Sequence, residues 1–386
     1  MKSIMKSIRT GRVDDNNPSD PVKVVVTGGH HTPALAVMEE LKKRGNFEFH
    51  WIGHRVSLGG EHVVSAEFRT IERLKIPFYS LRTGKFYRTS IYEWLKIPLG
   101  FFHALYLLAK IRPRLVISFG GYLAAPVVLA ASLLRIPSVT HEQTVISGWA
   151  NHFIATFAKK IFVSWPQSLS NFPKGKTLLT GNPLRKAIFE KKTDRFQFRE
   201  KLPVIYVTGG KQGAHLINEA IRGALSKFLK KYNLIHQTGS AEAFKDYQRV
   251  IILRDQLPQL LRRRYIIQEY FGEEEIGAVY ASADVVVGRS GANTVSELAA
   301  LGKPAILIPI SRASHREQLL NAQLLAKSGA ALILKEEQLS PTSLLGAIDT
   351  VAADLSLYRR QASLTKKLVN LRAASRIANE VVSILE

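Results

Sequence analysis

Cysteine is absent from the 386 residues. The chain therefore offers no disulfide, no thiolate zinc ligand and no cysteine nucleophile, as is typical of proteins from a reducing compartment. Long apolar runs are also missing. The longest, 122–136, contains Pro126 and is shorter than the about 20 residues that a membrane-spanning helix needs. Residues 1–20 lack the apolar core of a secretory signal, so we interpret them as a flexible leader outside the fold.

Acidic side chains are scarce relative to basic ones. The sequence has 54 Lys and Arg against 31 Asp and Glu, a formal net charge of +23, so its surface should attract phosphate groups. Nucleic acid, anionic lipid headgroups and pyrophosphate substrates all fit such a charge. Because the cations are scattered and no nucleic-acid-binding module is recognisable, we expect no nucleic acid partner.

The chain is longer than a single domain with one hydrophobic core, since domains usually have about 100–200 residues. A β-branched run at 22–26 precedes a glycine turn and a helical stretch at 34–44, and the same pattern restarts at 204–207. This repetition predicts the α/β class, with two Rossmann-like, doubly wound parallel-sheet domains that face a central cleft. The predicted division is a leader at 1–20, a first domain at 21–183, a second domain at 184–354 and C-terminal helices at 355–386 that pack back towards the first domain.

Glycine turns follow the first predicted strand of each half. Thr27-Gly28-Gly29-His30 leads from a strand into a helix, where backbone N–H groups and the helix N-terminus favour an anion. Gly209-Gly210-Lys211-Gln212-Gly213 repeats the arrangement with an added cation. Either turn alone could be purely structural. Neither matches G-x-G-x-x-G or the Walker pattern, which disfavours dinucleotide oxidoreduction and P-loop hydrolysis.

A third segment, 289–297, follows a predicted strand and begins another helix. It places Glu297 about one turn inside, where a carboxylate can accept hydrogen bonds from both ribose hydroxyls while Arg289 and the helix start face phosphate. The alternative interpretation is that Glu297 is an ordinary acidic residue in the first turn of a helix, with no ligand. Gln318 and Asn321 share a helical face that could line the cleft, whereas we interpret His141 and His236 as structural.

Together these segments resemble the MurG family of glycosyltransferases from about residue 22 to the C-terminus. The motifs that carry the resemblance are TGGHHTPALAV from Thr27, FGGYLAAP from Phe119, HEQTVISG from His141, GNPLR from Gly181, GGKQGA from Gly209, HQTG from His236 and RSGANTVSEL from Arg289. The resemblance implies a GT-B fold and transfer of N-acetylglucosamine from UDP to a polyprenyl-pyrophosphate-linked muramoyl-pentapeptide. It also implies a peripheral enzyme at the cytoplasmic face of the membrane that serves peptidoglycan synthesis, and with it cell shape and division.

By this resemblance the acceptor binds the first domain and the UDP-sugar mainly the second, with His30 as the general base. The substrate-binding candidates, from pattern and resemblance together, are Thr27, Gly28, Gly29, Thr144, Arg185, Lys211, Gln212, Gly213, Phe271, Gly272, Arg289, Ser290, Gly291, Ala292, Asn293, Thr294, Val295, Ser296, Glu297, Gln318 and Asn321. Within this set, the backbone near Phe271 and Gly272 resembles the family's uracil-reading loop.

The chain departs from the family pattern in three places. Val25 and Val26 stand where the family usually has two glycines, Thr144 replaces an Asn, and Lys211 replaces a Ser. A hydroxyl at Thr144 cannot offer both an amide donor and an acceptor, and Lys211 adds a point charge near the diphosphate. We therefore expect sugar or acceptor preference to differ, and tighter UDP binding is one possible result.

We expect an inverting mechanism without a metal or cofactor, since no carboxylate pair with metal spacing is visible near these loops. Bulky apolar residues mixed with cations indicate docking onto anionic lipid, and the predicted contacts are Lys85, Phe86, Arg88, Trp94 and Lys96. Rival functions are a related UDP-sugar-dependent lipid glycosyltransferase, a UDP-N-acetylglucosamine 2-epimerase, and a binding protein that has lost catalysis.

Overall fold

The computed structural model describes residues 20–56, 65–84, 91–311 and 316–386. The first domain is built on a seven-stranded parallel sheet with the strand order β3-β2-β1-β4-β5-β6-β7. Its strands are β1 (Val22–Thr27), β2 (Phe47–Gly53), β3 (Phe78–Ser80), β4 (Leu115–Ser118), β5 (Ser138–Glu142), β6 (Lys160–Val163) and β7 (Thr177–Leu179). Its helices are α1 (His31–Lys42), α2 (Ala66–Arg73), α3 (Ile91–Ile111), α4 (Ala124–Leu133) and α5 (Trp149–Phe157).

The second domain is built on a six-stranded parallel sheet with the order β10-β9-β8-β11-β12-β13. Its strands are β8 (Val204–Thr208), β9 (Asn233–Gln237), β10 (Tyr265–Gln268), β11 (Val285–Gly288), β12 (Ala305–Leu307) and β13 (Ala331–Ile333). Its helices are α6 (His215–Lys231), α7 (Asp246–Asp255), α8 (Gln259–Arg262), α9 (Ile276–Ser282), α10 (Ala292–Leu301) and α11 (Glu317–Ala326). Three further helices follow: α12 (Pro341–Ala353), α13 (Leu355–Leu364) and α14 (Ala373–Leu385).

The central strands are buried on both faces. The valine runs 24–26 in β1 and 285–287 in β11 have no exposed surface, which is the pattern expected where helices cover both sides of a parallel sheet. The predicted α/β class with two Rossmann-like domains is thereby confirmed.

Each sheet reverses its strand order at one point, between β1 and β4 in the first domain and between β8 and β11 in the second. Loops at such a switch point leave a crevice at the carboxyl ends of the strands. Gly28 sits there with φ +129°, and a Cβ on it would lie 2.8 Å from the Gly120 carbonyl oxygen. The close approach of the loops after β1 and β4 therefore requires glycine at this position.

The C-terminal helix α14 returns to the first domain. Ile377 and Val381 are buried in the same cluster as Val37 and Leu41 of α1. The domain limits 21–183, 184–354 and 355–386 stay predictions, with which this packing is compatible. Within the described part of the chain, no helix combines the length and apolar character needed to span a bilayer.

Candidate active site

The first glycine turn connects β1 to α1. The Gly29 N–H donates to the Gly120 carbonyl over 3.3 Å, which ties the turn to the loop after β4. A Cβ on Gly29 would meet no other atom within 4 Å, so its outer face is open to the cleft. His30 follows directly and precedes the first turn of α1. The turn therefore presents backbone and an imidazole at the crevice that the strand order creates.

The His30 side chain is exposed towards the cleft yet closely surrounded by protein. It lines a cavity of about 270 Å³ between the domains, hereafter the central cavity. Burial within the cleft lowers the pKa of His30 below its usual 6.5. Its imidazole makes no hydrogen bond with the described residues that could fix a tautomer. A neutral, accessible imidazole is suited to take a proton from a bound hydroxyl.

The second glycine turn, 209–213, connects β8 to α6 at the other switch point. Gln237 braces it, because its Nε2 donates to Thr208 Oγ1 and to the Gly210 carbonyl, both over 3.0 Å. Gly213 has φ +88°, and a Cβ there would collide with the Thr238 carbonyl. The turn is therefore held by a strand-end amide that belongs to the HQTG motif but was not among the predicted site residues.

A hydrogen bond crosses the cleft between the two turns. Lys211 Nζ lies 2.7 Å from His31 Nε2 and 5.4 Å from the ring centroid of Tyr270. Burial, and then the Lys211 charge, lower the pKa of His31 to about 3, so its neutral imidazole accepts a hydrogen bond from the Lys211 ammonium. Burial and the neighbouring Arg185 lower the pKa of Lys211 to about 8. At neutral pH, therefore, the ammonium remains largely charged beside both turns.

Arg185 and Glu297 form a buried pair on the wall of the central cavity. Arg185 Nε donates to Glu297 Oε1 over 2.9 Å, and its Nη2 to Oε2 over 3.3 Å. The Tyr280 hydroxyl also donates to Oε2, over 2.9 Å. Two predicted binding residues thus contact each other, and together they offer a cation for phosphate and a carboxylate for hydroxyl groups.

The segment 289–297 divides between cavity and core. Asn293, Thr294 and Glu297 line the central cavity. Arg289 does not, since its guanidinium donates to the Ile308 carbonyl over 3.2 Å and to Glu336. The structure therefore places Arg289 away from the cavity that we expected it to face.

The remaining residues of the same segment take up backbone and core positions. Ser290 donates to the Gln318 carbonyl over 2.8 Å, and Ser296 donates to the Ala292 carbonyl over the same distance. Val295 has no exposed surface. Gly291 caps α10 with open space around its Cα.

Several other predicted contacts hold loops together. Thr144 donates to Glu142 Oε1 over 2.8 Å inside the first domain and is 8% exposed. Asn321 accepts from the Val145 N–H over 3.4 Å and therefore joins the domains. Gln318 Oε1 accepts from the Ile310 N–H over 3.1 Å, which leaves its amide NH₂ unused by that bond.

The loop after β10 contributes a buried ring to the central cavity. Phe271 lines the cavity, and its N–H donates to Gln237 Oε1 over 3.0 Å. The carbonyl of Gly272 accepts from Glu275 and Ile276 at the start of α9. The predicted uracil-reading backbone is therefore adjacent to the cavity, with these groups engaged in local hydrogen bonds.

The two histidines that we interpret as structural, His141 and His236, are buried. His236 Nε2 donates to Asn218 Oδ1 over 3.0 Å, its Nδ1 accepts from the Tyr265 hydroxyl over 2.8 Å, and burial lowers its pKa to about 3. Burial also lowers the pKa of His141 to about 4, and its Nε2 lies 3.1 Å from the Gly181 carbonyl. Neither histidine lines the central cavity.

Sequence reasoning missed the tyrosines and the imidazole that complete the cavity wall, namely His31, Tyr206, Tyr270 and Tyr280. The three tyrosines share no sequence motif, because β8, α9 and the loop after β10 each supply one of them. Gln237 was detectable in principle, since it ends β9 at the working edge of the sheet.

One cluster has the composition of a metal site. Ligating atoms of His215, Glu219 and Asp246 lie within 4.8 Å of one another. The Glu219 carboxylate, however, already accepts hydrogen bonds from Arg222 Nε over 2.9 Å and from Arg222 Nη2 over 2.6 Å. None of the three residues lines the central cavity, so the cluster is separate from the candidate site.

The predicted membrane contacts fall mostly beyond what the structure describes. Lys85, Phe86 and Arg88 lie outside the described residues, as does the side chain of Trp94. Lys96 lies on α3, whose exposed apolar residues include Leu99 at 64% and Phe102 at 62%. The described surface thus places a cation and large apolar side chains on the same helix.

Comparisons with known proteins agree with this architecture. The model of the glycosyltransferase family 28 N-terminal domain matches residues 24–163, and that of the family 28 C-terminal domain matches residues 204–378. A protein of Lachnoclostridium phytofermentans is 35% identical over 349 residues, covering 87% of this chain and 92% of its own length. A Clostridium perfringens protein is 35% identical over 377 residues, covering 94% and 97%.

Both relatives carry the name UDP-N-acetylglucosamine–N-acetylmuramyl-(pentapeptide) pyrophosphoryl-undecaprenol N-acetylglucosamine transferase. Among solved structures, Acinetobacter baumannii MurG matches with a TM-score of 0.68 and 25% identity, covering 94% of this chain and 100% of that one. A Neisseria meningitidis UDP-GlcNAc 2-epimerase matches with a TM-score of 0.60 and 13% identity over 94% and 99%, which shows a shared fold alone.

Proposed function

The chain belongs to the MurG family of glycosyltransferases, and from that premise we propose that it transfers N-acetylglucosamine from UDP-N-acetylglucosamine to a muramoyl-pentapeptide on undecaprenyl pyrophosphate. One observation of the site carries the proposal. A single cavity between the two switch points brings together His30, Lys211 and the Arg185–Glu297 pair. A proton acceptor, two cations and a ribose-binding carboxylate are what a nucleotide-sugar transfer needs.

The donor lies mainly against the second domain in this proposal. Lys211, Arg185 and the N-terminus of α10 stabilise the diphosphate, since cations and helix N-termini both favour negative charge. Glu297 accepts hydrogen bonds from the ribose hydroxyls, and the loop at Phe271 contacts the uracil. The acceptor enters from the side of the first domain.

The reaction itself is a single displacement. His30 takes the proton of the acceptor hydroxyl as its oxygen forms a bond to the anomeric carbon, while the bond from that carbon to the UDP oxygen breaks and the electron pair leaves with UDP. Lys211 and Arg185 stabilise the charge that develops on the departing diphosphate. The configuration at the anomeric carbon inverts because the hydroxyl attacks opposite the leaving group.

Transfer can be measured directly with radiolabelled UDP-N-acetylglucosamine and a short-chain lipid-linked muramoyl-peptide, in buffer containing EDTA. We expect label in the lipid product at an unchanged rate with and without the chelator, because protein cations supply the charge stabilisation. Conversion of UDP-N-acetylglucosamine in the absence of any acceptor would indicate the epimerase instead. No conversion of either kind, with UDP still bound, would indicate a binding protein.

We propose that the enzyme works at the cytoplasmic face of the inner membrane as a peripheral protein. Support comes from a surface that we call the apolar face, formed by Leu99, Phe102 and Tyr106 on α3 and by Trp149 and Phe153 on α5. Helix α4 packs against both α3 and α5, so the two helices that carry these residues adjoin the same helix. Trp149 is 77% exposed, which is unusual for so large an apolar side chain.

The double variant Phe102→Ser with Trp149→Ser should bind vesicles containing anionic phosphatidylglycerol at least about tenfold more weakly, because each large apolar side chain contributes about 1.5–3 kcal/mol when fully buried. Leu260→Ser is a matched control, since Leu260 is 55% exposed on α8 of the second domain. Vesicle co-sedimentation measures the effect. Equal binding by wild type and the double variant would contradict the assignment of this face.

A further inference from the structure

Glu67 occupies an unusual position at the start of α2. Its carboxyl accepts a hydrogen bond from the indole N–H of Trp51 on β2. The helix has its own cap, because Ser65 Oγ accepts from the Phe68 N–H over 3.1 Å. A Cβ on Gly53 would collide with the Glu67 carboxyl oxygen, so glycine there makes room for the acid. The carboxyl is therefore directed towards the sheet rather than towards solvent.

Glu67 lines a cavity of about 290 Å³, which we call the first-domain cavity. Nine of its ten described lining residues come from the first domain, and only Gln212 comes from the second. Gly29 and His31 line both this cavity and the central cavity. Ligands bound in the two cavities would consequently meet at the turn that carries His30.

The chemistry of the two cavities differs. Arg185 and Lys211 line the central cavity, whereas no lysine or arginine is among the described residues around the first-domain cavity. A carboxyl group without a cation disfavours a phosphate and suits a neutral polar ligand with hydroxyl or amide groups. Burial raises the pKa of Glu67 to about 7, so near neutral pH it can both accept and donate hydrogen bonds.

We propose that Glu67 binds the sugar of the acceptor by hydrogen bonds in the first-domain cavity and so places the reacting hydroxyl beside His30. This inference rests on the proposed transfer reaction. It assigns the cavity to the acceptor rather than to the donor sugar, because almost all of its wall belongs to the first domain. The acceptor's diphosphate lies outside this cavity.

Glu67→Gln tests the role with little change in shape. The amide oxygen still accepts from Trp51, but the NH₂ group that remains can only donate hydrogen bonds and cannot ionise. We expect the KM for a short-chain lipid-linked muramoyl-peptide to rise about tenfold, with the KM for UDP-N-acetylglucosamine and the calorimetric Kd for UDP within about twofold of wild type. Glu72→Gln, an exposed acid on the same helix, is the matched control and should match wild type.

Val56→Phe provides a second test that leaves Glu67 intact. Val56 is 40% exposed and lines the same cavity, so a larger ring should obstruct the acceptor without disturbing the core. We expect its acceptor KM to rise while UDP binding is kept. An unchanged acceptor KM in both variants, or a raised KM for UDP-N-acetylglucosamine instead, would overturn the assignment. If wild type itself transfers no sugar but binds UDP, the proposed function fails rather than the role of Glu67.

Discussion

His30→Ala is expected to lower kcat by about 10²- to 10⁴-fold, the usual contribution of a positioned general base. His30 lines the central cavity at the end of the first glycine turn and makes no hydrogen bond with the described residues that would give it a structural task. The Kd for UDP should change by less than about threefold, because Lys211 and Arg185 remain in place. Initial rates and UDP calorimetry measure the two quantities.

His103→Ala is the matched histidine control. His103 accepts a hydrogen bond from the Arg82 N–H at 3.4 Å and lines neither the central cavity nor the first-domain cavity. Its rate should equal that of wild type. Near-normal turnover of His30→Ala with intact UDP binding would exclude His30 as the base and leave it the role of ordering the turn.

The pH profile gives an independent check on His30. Burial lowers its pKa below the usual 6.5, so the imidazole stays neutral, and able to accept a proton, throughout the neutral range. As the pH falls through that lowered pKa, the ring becomes protonated and the base is lost. The acid limb of kcat/KM should therefore lie below pH 6.5 in wild type. It should be absent from the residual activity of His30→Ala.

The sequence pattern predicted most central strands of the two sheets and missed the edge strands. The predicted strands β1, β4, β8 and β11 are continuous buried runs, which composition reveals. One unpredicted strand, β6, lies inside the first sheet, and the others, β3, β7, β10 and β13, are the edge strands of the two sheets. Each has only three or four residues and is partly exposed. Because an edge strand is paired on one side only, no continuous apolar run marks it.

The position of the candidate site could be predicted from the sequence, but the ion pairs and hydrogen bonds between its side chains could not. The glycines at the strand ends indicated where both turns lie, because the carboxyl ends of parallel strands meet at one edge of the sheet. The partners of the charged residues depend on how the domains face each other. Lys211 meets His31 across 180 positions of sequence, and Arg185 meets Glu297 across 112. Arg289 instead pairs with Glu336, which begins a short 3-10 helix after β13. No local sequence pattern indicates this pairing.

Glu297→Gln should weaken UDP binding by about 10- to 100-fold, the effect of losing hydrogen bonds to a charged group. Glu297 is 5% exposed and accepts from Arg185 and Tyr280. The variant also leaves the Arg185 charge without its partner, so we expect a loss of about 3–5 kcal/mol in unfolding free energy. Calorimetry and denaturant unfolding measure the two effects. Tyr280→Phe, which removes only a hydroxyl from the same carboxylate, should change UDP binding far less.

The same variant can separate ribose binding from mere support of Arg185. If Glu297 accepts hydrogen bonds from the ribose, wild type should bind UDP about tenfold or more tightly than 2′-deoxy-UDP, and Glu297→Gln should bind the two nucleotides almost equally. If Glu297 only holds Arg185 in place, the variant weakens both nucleotides by one factor and the preference for UDP survives. A preserved preference would therefore remove Glu297 from the ribose site and leave it as the partner that orients Arg185 towards the diphosphate.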